Sequence, residues 1–162
     1  NMEKIMEICS KKGCMLVNDV SGAVGTDAAK IGHLILGSFG KWKPIDLKYG
    51  GFIATDDEKF YEDFDASYFD EHLYDDLNKK IEELPKRLET LREKRKQILE
   101  DLQSFNIIHK ESQGINVIVK FDDEEIKQRI IDYCEENKLE YTECPRYIRV
   151  NDSAISIEVK RL

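Results

Sequence analysis

Residues 36–55 read LGSFGKWKPIDLKYGGFIAT. One apolar run, Leu34 to Phe39, leads into this stretch, and a second, Gly51 to Thr55, leads out of it. Two short apolar runs bounded by glycine and proline predict two strands joined by a loop. That loop holds Lys41, Trp42, Lys43 and Pro44. Exposed lysine is the ordinary fate of the residue. A lysine partly covered by an aromatic ring and a proline ring is a different object. It loses part of its preference for the charged form, and its amine becomes a better nucleophile toward carbonyls.

Upstream, Met2, Ile5, Met6 and Cys9 fall on one face of an amphipathic helix over residues 2–12, with Gly13 as its stop. Cys14-Met15-Leu16-Val17 follows and predicts a buried parallel strand, which ends in Asn18-Asp19. In open α/β sheets ligands bind outside the carboxyl ends of strands, so Asp19 is a candidate to pair with a cationic ligand atom. The loop after it, SGAVGTDAAKIG, lacks the Gly-Lys-Ser/Thr ending of a phosphate-binding P-loop. It lacks a G-x-G-x-x-G fingerprint as well, and reads as a plain connection.

Downstream, Thr55-Asp56-Asp57-Glu58 fits a capping box that opens a helix to about Phe64. Residues 75–105 are mostly helical. Ile81, Leu84, Leu88, Leu91, Ile98, Leu102 and Phe105 recur at steps of three and four, with Arg95 in the missing place. Pro85 predicts a kink or restart, and the pattern favours one helix packed along a domain over a free coiled coil. Asn106 to Gly114 reads as a link. Strands are expected at Ile115–Lys120, Glu140–Glu143, Tyr147–Val150 and Ala154–Val159, with a helix after a cap at Asp122.

The chain has 162 residues, of which 41% are hydrophobic and 36% charged, with a formal charge of −8. That length suits one domain with a small appendage. The acidic balance argues against non-specific nucleic-acid binding. No apolar run approaches the ~20 residues that cross a bilayer, and the N-terminus has no signal-peptide core. A cytoplasmic location is expected. The cysteines Cys9, Cys14, Cys134 and Cys144 form no C-x-x-C pair, so reduced, mostly buried thiols are expected and no metal site. Asn1 ahead of Met2 reads as a vector remnant.

Taken in order, CMLVND, LGSFGKWK and GGFIATDDE resemble the central part of fold-type I pyridoxal-phosphate enzymes, most closely the DegT-type sugar aminotransferases. LPKRLETLREKRKQILEDLQ is similar to the long helix by which that family returns to its small domain. The resemblance implies an α/β architecture. Residues 1–74 are part of the cofactor-binding large domain, 75–110 a long connecting helix kinked near Pro85, and 111–162 a small α+β domain. It implies pyridoxal 5'-phosphate as cofactor, with Asp19 at the pyridine nitrogen and Lys43 at the Schiff base. Lys41 is the second choice for the Schiff base, and Ser38 lies near the phosphate. The reaction implied is amino transfer from a small-molecule donor, typically glutamate, to a nucleotide-linked keto sugar, in a homodimer. The chain matches about the C-terminal half of such a protein, so alone it is expected to be inactive. The alternative is a cofactor-free relative that binds a partner or serves a structural role.

Overall fold

The computed structural model describes residues 1–63, 69–145 and 150–162. Contacts divide the chain into two units, Asn1–Leu88 and Glu89–Leu162. Both mix helix and sheet, in keeping with the α/β expectation.

The first unit opens with α1 (Met2–Lys12), capped by the Asn1 side chain, which accepts from the Lys4 N–H. Gly13 closes it at φ 64°, and its position returns N–H bonds to the last turn. A three-stranded sheet follows, in the order β1 (Val17–Asp19), β2 (Leu34–Ser38), β3 (Gly51–Ala54). β1 pairs parallel to β2, with Val17 opposite Leu34 and Asp19 opposite Leu36. β3 runs antiparallel to β2. The first strand therefore starts three residues later than the apolar run Cys14–Val17 predicts. The run's own residues are not core: Cys14 and Met15 are exposed, and Val17 keeps 49% of its surface. On the α1 stripe Ile5 is exposed and Met2, Met6 and Cys9 are half-buried; Ile8, off the stripe, is exposed as well.

The β2–β3 pair depends on glycine. A Cβ on Gly37 would run into the ring of Phe52, its partner across the sheet, and a Cβ on Gly51 would meet the Gly37 carbonyl. Phe52 uses the space to reach Phe39, which is 5% exposed, with ring centroids 5.7 Å apart. Phe69 meets Phe39 edge-on at 6.5 Å and stacks on Tyr74 at 5.7 Å. α2 spans Glu58–Asp63. The cap is Asp57, one residue ahead of the helix start, rather than Thr55: the Thr55 hydroxyl accepts the Asp57 N–H at 3.1 Å and donates to the His33 carbonyl at 2.8 Å. Asp57 accepts from the Lys59 N–H and begins the helix. The expected end near Phe64 lies outside the described residues.

α3 runs from Tyr74 to Asp101 and contains Pro85. It does not restart there; proline removes one N–H and crowds the carbonyl a turn before it. The unit boundary falls inside this helix. Of its stripe, Leu84, Leu88, Leu91, Ile98 and Leu102 are buried, and Ile81 is exposed. Arg95, in the missing step, donates to the Lys110 carbonyl at 2.9 Å.

The second unit is an antiparallel sheet in the order β4 (Asn106–Ile108), β5 (Val117–Lys120), β7 (Ala154–Ile157), β6 (Tyr141–Cys144), with α4 (Glu124–Glu136). β4 lies in the segment that reads as a link. At three residues, pairing only with β5, it is too short for its own periodicity to register. The α4 cap is Asp123, not Asp122: its Oδ1 accepts the Ile126 N–H at 2.8 Å. β6 and β7 lie within a residue or two of their expected places, and Val159–Arg161 is a 3₁₀ turn rather than strand. The expected strand Tyr147–Val150 falls on residues 147–149, outside the described ones, and Val150 is in no strand. Ile98, Val117, Val119, Ile130, Cys134, Ile155 and Ile157 form the core of this unit. Glu158 is buried beside it. Its oxygens accept from the Ser156 hydroxyl (2.9 Å) and the Asn116 amide (3.0 Å), and pair with Lys160 (3.0 Å). All four cysteines are free; Cys134 and Cys144 are buried, Cys9 half-buried and Cys14 exposed.

Two outcomes follow from this packing. Gly37→Ala destabilises the first unit by about 2 kcal/mol, and the cost vanishes when Phe52→Ala is also present. Urea unfolding followed through Trp42, the one tryptophan, gives this coupling. Burial pushes the Cys134 thiol up to about 11 from 9.0. Above pH 9 the unfolded thiol ionises and the folded one does not, so the stabilisation present below pH 9 is lost as pH rises toward 11. Circular dichroism melts at pH 8 and pH 10 should differ by about 1 kcal/mol more in wild type than in Cys134→Ala.

Candidate functional site

The parallel pair β1–β2 carries two candidate residues toward its carboxyl end, Asp19 opposite Leu36 and Ser38 two residues beyond Leu36. Asp19 closes β1 and Ser38 closes β2. Beyond the last ladder position the Val20 N–H donates to the Leu36 carbonyl at 2.7 Å, which carries the pairing past the strand end. Val20 is 1% exposed and anchors the turn. Asp19 itself is exposed, and its Oδ1 accepts from the Ser21 N–H at 3.0 Å. This is an Asx turn, the local bond that Asp makes readily two residues ahead.

From Ser21 the connection crosses to β2. The Ser38 N–H donates to Ser21 Oγ at 3.0 Å. Ser38 Oγ in turn accepts from the Gly40 N–H at 3.0 Å, and the Gly40 carbonyl accepts from the Lys43 N–H at 3.2 Å. Four hydrogen bonds thus run from the Asp19 carboxylate to the backbone of Lys43. The structure brings Asp19 and Ser38 together through Ser21, and it ties the lysine loop to the same end of the sheet.

The loop of residues 39–50 is closed at its base and held from beneath. The Phe39 N–H donates to the Gly50 carbonyl, and the Phe39 carbonyl accepts from Leu47 (2.9 Å) and Lys48 (2.8 Å). Pro44 and Ile45 are buried under it. Trp42 adopts φ 65°, a left-handed conformation that costs a bulky L-residue about 1–2 kcal/mol. The two lysines flanking it differ. Lys41 is exposed, and its Nζ sits 4.2 Å from the centroid of the Trp42 ring, where the ring face attracts the ammonium. Lys43 is half-buried, next to buried Pro44, and its amine makes no ion pair among the described residues.

Asn18 holds the intervening loop. Its Nδ2 donates to the carbonyls of Ala28 (3.0 Å) and Ile31 (2.7 Å). Gly25 in that loop has φ 84°, and a Cβ there would lie 2.6 Å from Leu88 Cδ1 and 3.4 Å from Leu84 Cδ2. Its glycine is a packing requirement under α3, which agrees with reading the loop as a connection.

An open depression of about 540 Å³ lies at the opposite end of β2, lined by His33, Asp56, Asp57 and Glu58 among others. His33 Nδ1 accepts the Leu16 N–H at 2.9 Å, so its ring is committed to holding β1 beside β2. Among the described residues no group of three or more His, Cys, Asp or Glu is placed to hold a metal ion. No helix among them is long and apolar enough to cross a membrane.

The model of the MJ1341 family C-terminal domain matches residues 74–162. The chain belongs to the MJ1341 family. Residues 1–72 separately match the DegT/DnrJ/EryC1/StrS aminotransferase family. The likeness to DegT-type enzymes therefore covers the first unit's strands and loops, and not the C-terminal segment that reads as that family's small domain. Neither a curated protein nor a solved structure matches the chain.

Pyridoxal phosphate, which the aminotransferase likeness implies, needs a carboxylate at its ring nitrogen, hydroxyl or N–H donors at its phosphate and an amine at its aldehyde. Two side chains at this sheet end are of that chemistry, Asp19 fixed by its Asx turn and Ser38 with a hydroxyl hydrogen uncommitted among the described residues; Lys43, which carries the amine, is tied to them through its backbone N–H. Sequence reasoning missed Ser21. The signal was present as Asp-x-Ser at a predicted strand end, the spacing of an Asx turn.

Asn18→Ala should cost about 2 kcal/mol by removing both loop bonds. Asn18→Asp should cost more at pH 7, since it sets a carboxylate against two carbonyl oxygens, and the gap should narrow at pH 4. Urea midpoints at the two pH values measure it.

Proposed function

We propose that the N-terminal unit is the cofactor-binding part of a pyridoxal-phosphate-dependent aminotransferase. In this reading Lys43 would hold the cofactor by its aldehyde, Asp19 would face the ring nitrogen, and Ser38 would face the phosphate. The observation that carries it is the hydrogen-bonded path from the Asp19 carboxylate through Ser21 and Ser38 to the Lys43 loop. The match of residues 1–72 to an aminotransferase family supports the reaction class.

The cofactor, when bound, supplies an electron sink for a carbanion at the substrate's Cα. The chain's own groups do the rest. Asp19 holds the proton on the ring nitrogen, because a carboxylate in hydrogen-bond reach favours the charged ring. Lys43 Nζ takes the proton from the substrate's Cα as a general base. Pro44, next to Lys43, is buried. Lys41 stays on the Trp42 ring, which favours Lys43 over Lys41 as the reacting amine. The substrates in this reading are a small amino donor and a nucleotide-linked keto sugar, and the working form is a homodimer in the cytoplasm.

A second reading is a cofactor-free relative that binds a partner. It is favoured by the exposure of Ile5, Ile8, Met15, Val17 and Ile53 in the first unit. Titration with pyridoxal phosphate separates the two. The first reading expects a visible absorption band in wild type and in Lys41→Ala, and none in Lys43→Ala. A wild type that gives no band, or a band that survives both substitutions, leaves the partner-binding reading.

A further inference from the structure

The geometry points to Ser21 as a further residue of the site, a second hydroxyl at the phosphate that also positions Asp19 against Ser38. The inference rests on the aminotransferase reading above and assigns a role to a residue which that reading leaves out.

Three observations meet at Ser21. Its N–H fixes the Asp19 carboxylate, so the direction of Oδ1 is set by Ser21's own backbone. Its Oγ accepts the Ser38 N–H, so the two strand ends are joined by its side chain rather than by the sheet ladder alone. Its hydroxyl hydrogen has no partner among the described residues, and the same holds for Ser38, whose Oγ accepts only the Gly40 N–H. A hydroxyl that accepts from a backbone N–H is polarised toward donating, since each bond in a chain strengthens the next. Two such donors at neighbouring strand ends are what a phosphate monoester needs. Its oxygens only accept, and one serine would leave most of their capacity unmet.

The placement separates charges as well. The phosphate and the Asp19 carboxylate repel each other at close range. Ser21 holds the carboxylate with its backbone and offers its hydroxyl toward β2, which assigns the two anionic groups to different faces of one residue. Threonine keeps that hydroxyl; alanine keeps the Asx turn and loses the hydroxyl. Alanine also removes the acceptor of the Ser38 N–H, so it is the comparison of a ligand that carries the phosphate with one that lacks it that separates a bond to the phosphate from the positioning of the strand ends.

The test is a binding titration of the whole chain with pyridoxal phosphate and with pyridoxal, followed by quenching of the Trp42 fluorescence. Ser21→Ala is expected to weaken pyridoxal phosphate about tenfold and to leave pyridoxal within about twofold, the loss of one hydrogen bond to a charged acceptor. Ser21→Thr is expected to bind like wild type. Equal binding of the phosphate ester by Ser21→Ala and wild type would overturn the assignment while the aminotransferase reading stands. So would an equal loss for both ligands, which marks a purely structural role. A wild type that binds neither ligand overturns the assignment together with the reading on which it rests.

Discussion

The first unit depends on how two short parallel strands are kept together at their carboxyl ends. A three-residue strand has few ladder bonds, and parallel pairing is the weaker kind. Here side chains complete it. His33 takes the Leu16 N–H at one end. Asn18 ties the crossover loop in the middle, and Ser21 takes the Ser38 N–H at the other end. These three residues hold β1 in register with β2. Register decides how far the end of β1 lies from Ser38, so the chemistry of the sheet end rests on polar contacts more than on apolar burial. Exposure of the apolar residues around the sheet is consistent with that balance.

The second unit is built the other way. Its centre is aliphatic, from Ile98 of α3 through the Val117–Val119 and Ile155–Ile157 positions to Ile130 of α4. One carboxylate, Glu158, sits at 6% exposure in this apolar surround. Removing its partners would leave a buried charge uncompensated, which is costly, so the contacts from Ser156, Asn116 and Lys160 are obligatory company for it. The last residues are held separately as well, since Arg161 reaches back to Glu140 at 2.8 Å.

Most of the element order was legible in the sequence, because periodicity and stop signals carried it: α1 with Gly13, the two strands around the lysine loop, the long helix and α4. What failed has physical causes. β4 is too short to show a period. Cys14–Val17 is apolar without being strand along its length, since a run of one polarity fixes neither face nor boundary. Thr55 reads as the cap because capping boxes are defined by spacing alone; the helix starts two residues later behind Asp57, while Thr55 bonds the Asp57 N–H and, 22 residues away, the His33 carbonyl, which no local pattern encodes. In the candidate site, the roles of Asp19, Ser38 and Lys43 come from the resemblance of CMLVND and LGSFGKWK to the DegT-type motifs. The part of Ser21 required knowing that β1 and β2 are adjacent.

The unit boundary inside α3 has a consequence for how such chains are assembled. The two family matches meet at residues 72 and 74, whereas Leu84 and Leu88, ten or more residues further on, close over Gly25 in the first unit. A recombination event that grafted a different partner domain at residue 73 would carry away the roof of the Gly25 loop. Inheritance of the N-terminal module thus extends through the first half of the helix, and any viable exchange of its C-terminal companion has to preserve leucines that the sequence families assign to the other side.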